Sequence, residues 1–410
     1  MKRYVIIGNG VAAVGCLEGI RSVDPAGEIA VISKEAHKVY SRPLISYYLE
    51  GKTDTTRMNY RAEDFYETNM ATLYLGKTAE AIDPKKKTVV LDDRTVLPYD
   101  ALCVATGSRP FVPPMEGLET VEKKFSFMTL DDALALEKVL TKDARVLIVG
   151  AGLIGLKCAE GIAERVAKIT VCDLADHILS SILDAECAAL VQKQLEQHNV
   201  EFLLGDSVAK FERNKAAFKS GKTVDFDILV LAVGVRANAE LVKTAGGETN
   251  RGILIDDAMQ TSLAKVYAAG DCTEGYDASI GARRVLAILP NAYLQGQTAG
   301  VNMAGGKAIF DNAIPMNSIG FFGLHVMTAG AYEGEMIEEK ADGEIKRLFV
   351  KENRLRGFIL IGTNERAGIY TSLVRERTPL DSIDFAFAQK RASNLIFSKE
   401  VRKEKFGGAL

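Results

Sequence analysis

No apolar run in this 410-residue chain is long enough to span a membrane, so no membrane-spanning helix is expected. The opening residues, Met1-Lys2-Arg3-Tyr4-Val5-Ile6-Ile7, run straight into a strand pattern and leave no room for a signal peptide. The six cysteines (Cys16, Cys103, Cys158, Cys172, Cys187 and Cys272) form no Cys-x-x-Cys pair and no metal-ligand spacing. They read as reduced, mostly packed thiols, which implies a cytoplasmic protein with no metal centre. A net charge of −3 gives no basic surface for nucleic acid. Tandem repeats of solenoid period and low-complexity tracts are also missing. What remains is ordinary globular composition, 47% apolar and 26% charged, with length for two or three domains.

One internal similarity organises the chain. Residues 3–35 and 145–173 share a plan of apolar strand, glycine-rich turn, helix and second apolar strand. The first copy runs Tyr4–Ile7, then Gly8-Asn9-Gly10-Val11-Ala12-Ala13, a helix to about Ser22, and the strand Ile29–Ile32. The second runs Val146–Val149, then Gly150-Ala151-Gly152-Leu153-Ile154-Gly155, a helix to about Val166, and Ile169–Cys172. Continuous apolar strands alternating with helices indicate buried parallel sheets.

Each Gly-x-Gly turn has a physical use. The first glycine permits the tight turn, and the second lets the backbone approach a pyrophosphate. The third small residue, Ala13 or Gly155, allows close helix–strand packing. Phosphates then rest on unpaired N–H groups at a helix N-terminus. Two dinucleotides are therefore expected. The acid that closes each unit tells them apart. Asp173 follows the second copy's last strand, where a carboxylate can bind both ribose hydroxyls and repel a 2′-phosphate. Residues 174–184 hold no Arg or Lys, so NADH is favoured over NADPH. In the first copy Ser33 takes the matching place and Glu35 lies two residues on, readable as a ribose ligand or as a solvated loop acid.

The expected fold class is α/β, with two Rossmann-like three-layer (ββα) dinucleotide-binding domains and a small C-terminal α+β domain. The first domain is discontinuous, residues 1–112 and 241–308. The second occupies 113–240, entered through Pro110, Pro113 and Pro114. From 309 to 410 the pattern changes to β-like runs, Ile314–Val326 and Arg347–Gly362, with a hairpin turn at Glu352-Asn353. A helix near 367–377 and a charged tail complete it.

Three further segments carry a family resemblance. Ala105-Thr106-Gly107-Ser108-Arg109-Pro110 follows the strand Ala101–Val104, Ala232-Val233-Gly234 follows Ile228–Leu231, and Val266-Tyr267-Ala268-Ala269-Gly270-Asp271 follows Thr261-Ser262. In this order, with the two fingerprints, they resemble the pyridine nucleotide-disulfide oxidoreductase superfamily over residues 1–305. Within it the chain is most similar to NADH:rubredoxin reductases and the flavoprotein part of NADH nitrite reductases.

The resemblance implies an NADH-dependent, FAD-containing enzyme. Gly8 to Ala13, Glu35, Arg42, Pro43, Ala105, Thr106, Gly107, Gly270, Asp271 and Asn291 would hold FAD. Asp271 would bind its ribityl chain, and Arg42 would either meet its pyrophosphate or form a surface salt bridge. Pro290-Asn291-Ala292 would start a helix to about Met303, its positive end toward the flavin. Gly150, Gly152, Leu153, Ile154, Gly155, Asp173, Val233 and Gly234 would hold NADH. Hydride would pass to FAD, then electrons to a small electron-carrier protein such as rubredoxin or a ferredoxin-like iron–sulfur protein, or to a partner redox subunit. The protein would be a monomer or homodimer. An oxidase or peroxidase using oxygen species, and a non-catalytic NADH-sensing flavoprotein, stay open beside this.

Departures from the family pattern shape the expectation. No Cys-x₄-Cys pair follows the ribose loop, and Pro43 takes the place of the single cysteine that precedes a stretch like Tyr47-Tyr48-Leu49-Glu50-Gly51. A thiol mechanism is thus disfavoured. Tyr47 replaces a lysine that relatives often carry, and Lys157 replaces a glutamate often paired with it. Lys157 is the one catalytic candidate. It either tunes the flavin and helps hold the dinucleotide, or points to solvent or pairs with a nearby acid.

Overall fold

The structure is a computed structural model that describes residues 1–363 and 366–406. Two parallel sheets of five strands dominate the first part of the chain. In one, the order is Val266–Ala268, Ala101–Val104, Arg3–Ile7, Glu28–Ser33, Ala71–Leu75. In the other it is Val200–Leu204, Lys168–Asp173, Arg145–Val149, Ile228–Leu231, Lys124–Ser126. The fingerprint strand is the central strand of each. Its register is fixed on both sides, Ile7 opposite Ile32 and Val104, and Val149 opposite Cys172 and Leu231.

The central strands are buried without alternation. Val5, Ile6, Leu147 and Ile148 are all at most 2% exposed. That pattern arises when both faces of a parallel sheet are covered. Each such side chain contributes roughly 1.5–3 kcal/mol by leaving water. A three-stranded antiparallel sheet accompanies each parallel one, formed by residues 79–98 and 208–225. With the helices they make the expected three layers.

The helices Val11–Val23 and Leu289–Ala304 cross in backbone contact. A Cβ on Gly296 would lie 2.0 Å from the Ala12 carbonyl oxygen, and one on Gly15 would lie 2.2 Å from that of Tyr293. Glycine is required for that approach. It ties the helix that begins near Pro290 directly onto the first fingerprint helix.

The chain divides into two compact units, residues 1–275 with 289–310, and residues 276–288 with 311–410. The second is built on an antiparallel sheet in the order Met316–Phe321, Leu324–Gly330, Arg354–Ile361, Glu344–Lys351, Glu335–Ala341. The β-like run Ile314–Val326 holds one strand and the start of the next. Phe322 and Gly323 take positive φ (47° and 88°) and fold it into a hairpin. The hairpin at Glu352-Asn353 is present, both residues left-handed at 53° and 57°. The helix Ala367–Arg375 covers the sheet.

Candidate functional site

The two glycine turns are built alike. Gly8 takes φ +118°, and a Cβ there would lie 2.0 Å from the Ala105 carbonyl oxygen. Gly150 takes φ +115°, with the Ala232 oxygen at 2.3 Å from such a Cβ. Each first glycine therefore sits against the end of the neighbouring strand. In this way Ala105-Thr106-Gly107 and Ala232-Val233-Gly234 are drawn beside the fingerprints. Gly155 packs on Gly150, its would-be Cβ 2.0 Å from that carbonyl oxygen.

Gly10 and Gly152 are the N-caps of the two fingerprint helices, and no side chain caps either. The first turns, Val11-Ala12-Ala13 and Leu153-Ile154-Gly155, thus offer backbone N–H groups to an anion. A Cβ added to Gly10, Gly107, Gly152 or Gly234 would meet no atom within 4 Å. Open space beside uncapped helix ends suits pyrophosphates, so these residues fit two dinucleotides.

Around the first turn, Gly270 (φ +85°) rests on Ala12, and its N–H donates to Gln295 Oε1 at 2.8 Å. Asp271 follows. Burial pushes its carboxyl above the usual range, while Arg42 and a 3.4 Å hydrogen bond from Ser108 pull it back. Asn9 accepts from the Tyr66 hydroxyl and donates to the His37 carbonyl at 3.3 Å. Glu35 is not a solvated loop acid. It pairs with Arg42 at 2.6 Å and accepts from the Tyr40 hydroxyl at 2.6 Å, and Arg42 also donates to the Met128 carbonyl at 3.0 Å. Pro43 opens the short helical turn Arg42–Leu44 that carries this arginine. Asn291 is fully buried in the first turn of the helix Leu289–Ala304.

At the second turn Asp173 ends its strand and accepts from Ala151 N at 2.7 Å and Ala175 N at 2.9 Å. The carboxylate is thereby fixed beside the fingerprint with lone pairs remaining.

Lys157 does not point to solvent. Its side chain is 14% exposed and pairs with Glu160, which is 6% exposed, one turn along the same helix. Its ammonium lies 4.7 Å from the centre of the Tyr47 ring, with Lys52 5.8 Å from the same ring. The two positions that depart from the family pattern are thus neighbours.

The pairing that links the two turns was not foreseen from the sequence. Ser108–Pro110 and Val235–Ala237 pair as an antiparallel ribbon running out of the two glycine loops. Asn238 closes it, donating to the Thr106 carbonyl at 2.9 Å and accepting at its own carbonyl from the Thr106 hydroxyl at 2.7 Å. The signal was available, since each three-residue ribbon strand follows a Gly-terminated loop.

All six cysteines are buried and unbridged. Cys272, nearest in sequence to Asp271, directs its thiol to the carbonyls of Val104 and Ala269, both at 3.4 Å. Burial pushes that thiol up to about 12. No group of three or more potential metal ligands is found among the described residues.

Comparison with known proteins agrees with this geometry. Residues 2–296 match the pyridine nucleotide-disulphide oxidoreductase family. The chain is 30% identical to the epsilon subunit of NADH-dependent phenylglyoxylate dehydrogenase from Aromatoleum evansii, over 98% of this chain and 97% of that one. It is 32% identical to the assimilatory nitrate reductase electron transfer subunit of Bacillus subtilis (strain 168), covering 95% of this chain but only 51% of that relative. The reductase fold in a covalent putidaredoxin reductase–putidaredoxin complex superposes with a TM-score of 0.87 at 24% identity, covering 96% of this chain and 97% of that one. The chain therefore belongs to the pyridine nucleotide-disulphide oxidoreductase family, whose members use FAD and NAD(H).

Proposed function

We propose that this protein takes reducing equivalents from NADH onto bound FAD and passes them to a separate electron-carrier protein or partner redox subunit. The observation that carries this reading is the pair of open, uncapped fingerprint turns in one compact unit, in a protein whose thiols are all buried. FAD is assigned to residues 1–112 and 241–308, and NADH to 113–240. When bound, FAD supplies the chemistry, accepting hydride and releasing electrons onward.

The chain's own residues bind and orient. The N–H groups of Val11, Ala12 and Ala13 hold the FAD pyrophosphate, and Glu35 keeps Arg42 in place beside them. Asp271 takes the ribityl hydroxyls, and its partial burial favours a hydrogen-bonded role over an ionic one. The helix that starts near Asn291 brings its positive end to the reduced cofactor. Gly152 to Gly155 seat the NADH pyrophosphate, with Val233 and Gly234 lining the approach. Asp173 receives the ribose hydroxyls and disfavours a 2′-phosphate. Lys157 acts through its place beside Tyr47. Buried, unbridged thiols suit a cytoplasmic protein, and among the described residues no helix is long and apolar enough to cross a membrane.

The test is an acceptor panel. Protein reduced by NADH is offered rubredoxin, a ferredoxin, oxygen and a disulfide. Fastest turnover with an iron–sulfur or rubredoxin-type carrier is expected. Turnover with oxygen alone would replace the reading by an oxidase, and turnover with the disulfide alone would contradict it.

A further inference from the structure

The second compact unit carries a group of cations that the proposed reaction leaves unused. Arg354 and Arg356 stand two residues apart on the strand Arg354–Ile361, where a β-bulge leaves Arg356 unpaired in the ladder, and both line the same recess. Arg377, just past the helix Ala367–Arg375, is brought alongside by the bridge between Arg354 and Pro379. The three arginines and Ser279 line one small, open recess.

None of the three guanidiniums is in an ion pair with a described residue. Arg356 donates to the Ser279 carbonyl at 2.7 Å, which fixes it against the turn. Arg377 has only a long 3.4 Å bond to the Asp311 carbonyl and a place 5.9 Å from the Tyr276 ring centre. Arg354 has no side-chain partner among the described residues. The nearby carboxylate of Asp277 does not compensate them. It is fully buried, held by Arg284 at 2.6 Å and by the Ser279 N–H and hydroxyl at 2.8 and 2.7 Å.

Three like charges around one recess repel, and an anion between them relieves that repulsion. Guanidinium forks match the oxygens of an oxyanion, often two at a time. A tetrahedral group presents acceptors in three directions, whereas a carboxylate presents them in one plane. We propose that this hollow is a binding site for a small phosphate-bearing anion, formed wholly within the second unit.

The experiment is calorimetric titration of the full-length, FAD-loaded protein at constant ionic strength set with chloride. Inorganic phosphate and glycerol phosphate are the two probes, and wild type is compared with Arg354→Gln/Arg377→Gln. Saturable one-site binding is expected, weakened at least about tenfold in the double variant with FAD content and anion-free Tm unchanged. Arg354→Gln alone, at an exposed position, should show a smaller loss in the same direction. Tighter binding of glycerol phosphate identifies an organic phosphate as the ligand, and binding no tighter than that of inorganic phosphate identifies the free ion. No saturable binding of either probe, or binding that both variants retain, overturns the proposal. So does a site that takes an acidic carrier protein but neither phosphate.

Discussion

The Lys157 ammonium stands over the Tyr47 ring, 4.7 Å from its centre, while the same ammonium is held by Glu160. A cation over an aromatic face is attracted by the ring quadrupole. The family resemblance led to the expectation of the opposite arrangement at these two positions, a lysine at 47 and a glutamate at 157, and the two residues that stand there instead touch each other. Lys157→Met leaves Glu160 buried with less compensation and should cost about 1–3 kcal/mol of stability. It should also lower the flavin midpoint potential and slow flavin reduction by NADH several-fold. Lys157→Arg keeps the charge and should restore the potential. Unchanged potential and rate in a folded Lys157→Met protein would confine the pair to a structural role.

Asp173 should set the choice of nicotinamide cofactor. A carboxylate facing a 2′-phosphate gives a preference for NADH of about tenfold to a hundredfold in kcat/KM. Asp173→Asn keeps an acceptor for the Ala151 N–H and removes the charge. The NADH-to-NADPH ratio should therefore fall mainly through better use of NADPH. An unchanged ratio would move the discrimination elsewhere.

The thiols should be silent. Each of the six cysteines is buried, and that of Cys272 is raised to about 12 by burial, so it stays protonated through the working pH range. A thiol reagent should label almost none in the native protein and all six after denaturation. Cys272→Ser should retain acceptor reduction within about twofold, since a packed thiol acts as a small hydrophobe. A tenfold loss in a folded, FAD-loaded variant would restore a thiol to the mechanism.

The glycine crossing should couple stability to FAD retention. Gly296→Ala places a methyl where the Ala12 carbonyl lies 2.0 Å away, forcing the two helices apart. The expected cost is about 1–3 kcal/mol, with a lower Tm and faster FAD loss. Gly368→Ala, with nothing within 4 Å of its would-be Cβ, is the control and should lower neither Tm nor FAD retention.

The contrast between these residues shows what could be read in advance. The fingerprint turns were legible because glycine spacing, strand and helix obey local rules, and each sits at the centre of its sheet. The Glu352-Asn353 hairpin was legible for the same reason. The Gly15–Gly296 crossing was not, because it joins residues far apart in the chain and neither glycine lies in a turn. The pairing of Glu35 with Arg42 was half legible, since a salt bridge stood open for Arg42, but its partner was hidden because Glu35 was read as a ribose ligand or a solvated loop acid. Lys157 and Glu160 were within reach, since a cation and an acid three apart on a helix are neighbours. The approach of Lys157 to Tyr47 depends on how the helix Leu153–Ile162 packs on Ile45–Leu49, which no local pattern encodes.

The most direct test of the central claim is an anaerobic NADH titration of the FAD-loaded protein, followed by flavin absorbance. A flavin acting without a protein thiol takes up one electron pair, so bleaching should be complete at about one NADH per FAD, with no further NADH consumed. Consumption of a second equivalent would reveal a redox-active disulfide or thiol adduct, and failure to bleach would remove the NADH-to-FAD step altogether.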